Sequence, residues 1–151
     1  MTISDKGALF ICGFEGFRSK AYQDTAGIWT IGFGTTHYKN GISVAPEDSA
    51  IKREEGILLM HVHITKEIAP QLSKLLNNLK QSEFDALCSF IYNVGYGNFT
   101  KSGLLAAIKA GADANTIVNE FNKWNKAGGK VLEGLVKRRA AEGHLYCQGV
   151  Y

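Results

Sequence analysis

The sequence predicts an α+β fold in one domain spanning residues 1–151, and three observations carry that expectation. Residues 21–44 are rich in Gly, Thr and aromatics and hold turn signals at Thr25-Ala26-Gly27 and Lys39-Asn40-Gly41, the mark of a small antiparallel sheet. From Pro46 to Ile68 the apolar residues keep helical spacing over a long run. Further amphipathic helical stretches follow to the end of the chain. The expected layout is a small β-containing lobe at about 15–45, joined by a long helix to an all-helical lobe at about 70–151. The N-terminal helix is expected to pack on that second lobe.

The elements follow in order. Ser4 can cap a helix running to about Phe17, with Leu9, Cys12 and Gly13 turned inward and Glu15 and Arg18 near its end. Pro46-Glu47-Asp48 reads as a helix start, because proline at the first helical position loses no hydrogen bond and carboxylates favour the positive end of the helix dipole. Pro70 is expected to break or kink that run. Ser82 with Asp85 resembles a capping box, and Phe84, Leu87, Cys88 and Ile91 fall at i, i+3, i+4 and i+7. Gly95-Tyr96-Gly97 ends that helix. Ile117, Val118, Phe121 and Trp124 form another stripe closed by Gly128-Gly129, and Val136, Ala140, Gly143 and Cys147 mark the last.

Composition narrows the function classes. With 151 residues, 45% apolar and 21% charged, the chain can bury a real core without staples, and its 17 glycines are scattered at turns rather than gathered in a linker. The net charge of +3 gives a weak preference for anionic polymers, with Lys137-Arg138-Arg139 read as a basic helix face. Nucleic acid is the weaker candidate, since no basic stripe, finger or zipper is present. Three widely spaced cysteines, Cys12, Cys88 and Cys147, read as free thiols. No apolar run near the N-terminus is long enough for an export signal or a membrane span, so membrane insertion is not expected. His61 and His63 sit at i, i+2 on opposite sides of a helix with no third ligand nearby, so neither a metal nor another cofactor is expected.

The chemistry concentrates in one stretch. Glu15 is followed after eight residues by Asp24 and after five more by Thr30, which lies within Trp29-Thr30-Ile31-Gly32-Phe33-Gly34. If Glu15 ends a helix and Asp24 and Thr30 sit on adjacent hairpin strands, two carboxyl groups can face each other across a cleft. Glycoside hydrolysis needs one protonated carboxyl to donate to the leaving oxygen and one ionised carboxylate to activate water or stabilise charge. Apolar burial against Phe14 and Phe17 is expected to keep Glu15 protonated, and a polar hairpin to leave Asp24 ionised. The Thr30 hydroxyl could hold the water, while Gly32 and Gly34 would let backbone or sugar approach closely.

The Glu-x8-Asp-x5-Thr spacing with Ile-Gly-x-Gly resembles the catalytic signature of the phage-type lysozymes, glycoside hydrolase family 24. The similarity continues through Phe84-Asp85-Ala86-Leu87-Cys88-Ser89-Phe90-Ile91-Tyr92-Asn93-Val94-Gly95, Trp124-Asn125-Lys126-Ala127-Gly128-Gly129-Lys130, and Gly134 to Glu142. The resemblance implies a lysozyme-like fold with Glu15 as general acid and Asp24 and Thr30 positioning water. It also implies Tyr92, Ser102 and Thr36 as groove-lining residues, and Arg138 or Arg139 as the partner of Glu15. In close relatives the reaction inverts the muramic acid carbon, and carboxyl separation would distinguish that outcome from retention. The implied substrate is the glycan of peptidoglycan, cut by a monomer that gathers in the host cytoplasm and reaches the wall once a holin opens the inner membrane. One departure stands out: many relatives have His after Gly34, whereas here Thr35-Thr36 precede His37, which bears on bracing of the lobe rather than on catalysis. Two rival readings are a lytic transglycosylase, which needs no water and so leaves Asp24 and Thr30 unexplained, and a catalytically silent wall-binding module.

Overall fold

The computed structural model describes residues 1–151 and has the mixed helix and small-sheet architecture expected. Helix α1 (Asp5–Cys12) opens on Ser4, whose hydroxyl accepts the Gly7 N–H, and stops at Gly13. It is shorter than the spacing suggests, so Glu15 lies beyond its end, in the turn that leads into the sheet. Ala8, Ile11 and Cys12 face the core, whereas Leu9 and Gly13 are exposed, contrary to expectation.

Strands β1 (Arg18–Gln23) and β2 (Trp29–Gly32) pair antiparallel, with Tyr22 opposite Thr30 and Arg18 opposite Gly32. Between those pairs β1 carries extra residues, a bulge that shifts the register. Bridges Ile31–Thr35 and His37–Ser43 extend the sheet into a second turn.

Pro46 does not start a helix. Asp48 Oδ2 accepts the Ala45 N–H at 2.9 Å and the Tyr38 hydroxyl at 2.7 Å, which closes residues 45–48 into a turn. The helix begins later as α2 (Arg53–His63), where Glu55 accepts the Lys52 N–H at 2.7 Å. A π-helical turn (Ile64–Ile68) then leads directly into α3 (Ala69–Leu75). Pro70, lacking an N–H and bulky toward the preceding turn, is accommodated by that wide turn, and the helical run continues to Leu75.

In the helical lobe, α4 (Gln81–Val94) buries Phe84, Leu87, Cys88 and Ile91 as its periodicity predicts. Its start differs: Glu83 accepts the Lys80 N–H at 2.8 Å, and Asp85 is not a cap. Asp85 is fully buried and accepts from Ser4 N at 3.1 Å, Gln81 Nε2 at 2.9 Å and the Tyr151 hydroxyl at 2.6 Å, with a further short contact to the Ser4 hydroxyl. This joint fits only because residue 7 has no side chain, since a Cβ there would stand 2.5 Å from Asp85 Cγ. Gly7→Ala is expected to cost about 1–3 kcal/mol, seen as a lower urea midpoint with an unchanged slope.

Gly95, at φ +88°, ends α4. Then come α5 (Tyr96–Thr100), α6 (Gly103–Lys109) capped by Ser102, and α7 (Ala114–Asn122) capped by Asp113. Gly128 and Gly129, both at positive φ, turn a two-residue hairpin between β3 (Lys126–Ala127) and β4 (Lys130–Val131). Phe90 is the centre of an aromatic cluster, edge-on to Phe99, Phe121 and Trp124 at 6.1, 5.4 and 5.6 Å. Phe33 of the β lobe belongs to the same core as Met60, Ile64 and these helices, so the two lobes share one apolar interior. No helix is long and apolar enough to cross a membrane.

The last helix, α8 (Glu133–Gln148), corrects two expectations. Its inward face is not Val136 and Ala140, which are exposed, but Arg138, Arg139, Glu142, Gly143 and Leu145. Of the supposed basic surface cluster only Lys137 is exposed, paired with Glu133 at 2.6 Å. The two arginines go inward because Glu142, three and four residues on, supplies a buried counter-charge. All three cysteines are free, with Cys12 and Cys88 buried and Cys147 half-buried.

Candidate active site

The turn after α1 places Glu15 at the edge of a cleft of about 610 Å³, walled by Phe14, Asn93, Leu132, Leu135, Lys137 and Arg138. The Glu15 side chain is 26% exposed, and its nearest polar neighbour is Arg138, whose Nη1 donates to Oε1 at 2.6 Å. A guanidinium therefore contacts the carboxyl directly. Phe14 lies under the Arg138 guanidinium at 5.4 Å, and Phe17 packs on Phe33 instead of enclosing Glu15. Glu15 Oε2 has no protein partner.

Arg138 is held from behind. Its Nε donates to Glu142 Oε1 at 3.1 Å, and its Nη2 to the Ser89 carbonyl at 3.2 Å and hydroxyl at 3.3 Å. Glu142 Oε1 also accepts the Ser89 hydroxyl at 2.6 Å and Arg139 Nη2 at 3.0 Å, while Oε2 lies 2.8 Å from Arg139 Nε. Arg139 stacks over the Phe90 ring at 4.8 Å, a cation–π contact on the guanidinium face, while its in-plane Nη1 has no hydrogen-bond partner. Burial pushes the Glu142 carboxyl up, and the two guanidinium charges pull against it. Of the two arginines offered as the partner of Glu15, Arg138 makes the contact and Arg139 pairs with Glu142 instead. Glu142 and Ser89 drew no role from sequence; the findable signal was a carboxylate at i+4 and i+3 from the two arginines.

Asp24 sits in the turn after β1, not on a strand. Its Oδ1 accepts the Ala26 and Ile28 N–H groups at 2.8 and 2.9 Å, which closes the hairpin, and Oδ2 has no protein partner. Thr30, on β2, is buried, and its hydroxyl donates to the Ile28 carbonyl at 3.0 Å, so its lone pairs are left to accept. Both residues are thus tied to the backbone of Ile28. Thr30 lies opposite Tyr22 in the pairing of β1 with β2, two residues before Asp24 in the chain.

Tyr92 reaches from α4 to the β lobe, where its hydroxyl donates to the Phe33 carbonyl at 2.9 Å. Burial first, and the Glu15 charge second, push that phenol well above its ordinary range, so it stays a donor. Gly34, at φ +102°, makes room for it: a Cβ there would be 2.6 Å from the Tyr92 oxygen. Gly32 likewise admits Ile51, whose Cδ1 would be 3.2 Å from a Cβ. The close approach these glycines permit is therefore made by the protein's own side chains. Thr36, bonded to His37 Nδ1 at 3.0 Å, borders a separate cavity of about 510 Å³ with Tyr38, Leu59, His63 and Lys66. Ser102 is buried; its hydroxyl donates to the Phe99 carbonyl at 2.7 Å and accepts the Leu105 N–H at 3.2 Å, so it is committed to the start of α6. His61 lies 3.7 Å from Asp5, and His63 stands edge-on to Tyr92 at 5.7 Å.

Comparison with known proteins matches residues 12–142 to the family described as phage lysozyme. The endolysin of Bacillus phage B103 is 44% identical over 99% of this chain, which spans 55% of that longer protein. The endolysin of Acyrthosiphon pisum secondary endosymbiont phage 1 is 40% identical, with 97% of this chain and 98% of that protein covered. Among solved structures, the endolysin from Escherichia coli O157:H7 phage FAHEc1 superposes with a TM-score of 0.85 at 31% identity, covering 100% of this chain and 96% of that one. A family match over most of the length, a relative of nearly equal extent and a shared fold agree: the chain belongs to the phage lysozyme family.

Proposed function

We propose that this phage lysozyme hydrolyses the β-1,4 bond between N-acetylmuramic acid and N-acetylglucosamine in bacterial peptidoglycan, with Glu15 as the general acid and Asp24 and Thr30 as the pair that holds and activates water. The observation that carries this reading is a shared division of labour. In each residue one polar atom is fixed by the protein and another acceptor position is left open, at Glu15 Oε2, Asp24 Oδ2 and the Thr30 lone pairs. A proton on Glu15 Oε2 passes to the leaving glycosidic oxygen as the bond breaks. Water, accepted by Thr30 and losing its proton to Asp24 Oδ2, adds to the anomeric carbon. That is a single displacement with inversion, and it consumes one water per cut. The reaction draws on no metal or organic cofactor.

The biological reading is a monomeric endolysin that gathers in the host cytoplasm and reaches the wall after a holin permeabilises the inner membrane. Tyr92, Ser102 and Thr36 support the groove through the fold: Tyr92 by linking the lobes, Ser102 by setting α6, and Thr36 at the neighbouring cavity.

Asp24→Asn separates turn from chemistry, because the amide oxygen can still accept the Ala26 and Ile28 N–H groups while the base is gone. The expected result is a loss of roughly 10²–10⁴-fold in wall-lysis rate with an unchanged melting temperature. Mass spectrometry of digested wall should show reducing muramic ends. Anhydro ends would instead identify a transglycosylase, and full activity in Asp24→Asn would remove this residue from the reaction.

A further inference from the structure

We infer that Glu142, buried and out of reach of any substrate, is a positioning residue for the reaction, and that by sharing Arg138 with Glu15 it sets the pH range over which the acid keeps its proton. The inference rests on Glu15 being the acid. Its basis is the arrangement of four charges in one connected chain. Glu15 meets Arg138 at 2.6 Å, Arg138 meets Glu142 at 3.1 Å, and Glu142 meets Arg139 at 2.8 Å. Signs alternate along it, and only Glu15 and Arg138 border the cleft: the side chains of Arg138, Glu142 and Arg139 are 4%, 0% and 0% exposed.

A general acid must hold a proton at working pH, yet a lone buried guanidinium at 2.6 Å favours the ionised form. Arg138 is not alone. Its Nε is already given to Glu142, so the negative charge behind it offsets the positive charge that Glu15 meets. Arg139 in turn tempers Glu142. The other groups facing this carboxyl are Tyr92 from α4 and Cys12 from α1, with Lys137 of α8 on the same cleft wall and Arg53 of α2 acting on Cys12. Burial pushes Cys12 up to about 11 and Tyr92 higher still, so both stay neutral while Glu15 works. Among the groups bonded to Glu15, Arg138 alone brings a charge, and what stands behind Arg138 tunes it.

Geometry is served by the same contacts. Glu142 Oε1 and Ser89 together fix the guanidinium plane, and with it the direction in which Glu15 Oε2 points. A purely structural role would lower activity at every pH alike. The tuning role makes a signed prediction instead.

The test is the pH profile of kcat/KM on purified peptidoglycan for wild type, Glu142→Gln and Arg139→Gln, each measured below its own unfolding transition. Glu142→Gln keeps an acceptor oxygen and the volume but removes the negative charge, so the alkaline limb should move to lower pH by on the order of one unit. Arg139→Gln removes a positive charge from the far end, so the limb should move to higher pH. KM should change little in either. Limbs that stay in place, or that move the same way in both variants, overturn the inference. If Glu142→Gln does not accumulate as folded protein, Arg139→Gln decides by itself. The Glu15 carboxyl resonance, titrated by NMR in the same proteins, reads the coupling without turnover. Wild-type protein inert on peptidoglycan would therefore refute the proposed function, while an unmoved resonance would refute the coupling.

Discussion

Glu15→Gln is expected to lose roughly 10³-fold or more in the rate of wall hydrolysis while folding as the wild type does. The amide can still accept from Arg138 Nη1 at the position of Oε1, so the contact that holds the side chain in place survives. What it cannot do is release a proton to the departing sugar oxygen. Turbidity loss of outer-membrane-permeabilised Gram-negative cells reads the rate, and circular dichroism with a thermal melt reads the fold. Equal lysis by both proteins would end the assignment of the acid and leave a wall-binding module as the better account. A matching fall in melting temperature would instead show that the carboxylate acts mainly as a partner for Arg138.

The second large effect is on stability. Glu142→Ala should destabilise the protein by about 3–5 kcal/mol, because it leaves two arginines inside the protein with one counter-charge removed. For a domain of this size that corresponds to a fall in melting temperature on the order of 6–20 °C. Arg138 would keep Glu15 and the Ser89 carbonyl, but Arg139 would keep only the ring of Phe90. A melt shifted by less than a degree would mean that water enters and solvates the gap. Replacing Arg139 and Glu142 together with apolar residues should recover much of the loss, as the penalty comes from the uncompensated charge rather than from the missing bond.

Apolar periodicity made much of the fold legible. The i, i+3, i+4, i+7 spacing of Phe84, Leu87, Cys88 and Ile91 defines α4 because apolar side chains dominate its buried face, with Asp85 and Ser89 as the buried polar exceptions. The same rule failed on α8, whose inward face carries Arg138, Arg139 and Glu142; a pattern that treats charge as surface turns such a helix inside out. Local turn chemistry defeated the reading at Pro46. There Asp48 had nearer partners in Ala45 and Tyr38 than a helix could offer. Pro70 defeated it in the opposite way, since a π-helical turn absorbs what would otherwise be a break.

The candidate site was legible where spacing reflects covalent proximity. Asp24 and Thr30 fall on one hairpin, and five residues between them allow the turn that ties both to Ile28. Glu15 with Arg138 came only from resemblance, because a contact across 123 residues leaves no local trace. The layer behind Arg138 was missed for that reason too: Ser89 and Glu142 lie 53 residues apart and meet only after α4 and α8 have packed.

Because Asp24 and Thr30 are moored to the peptide group of Ile28 and not to its side chain, which points half exposed into solvent, that position can change its chemical character without disturbing the two neighbours. Almost any substituent could be installed there, a fluorophore or spin label included, as a sentinel on the hairpin rim. Proline is the exception, since it has no N–H to give and would leave the Asp24 carboxylate held by the Ala26 N–H alone.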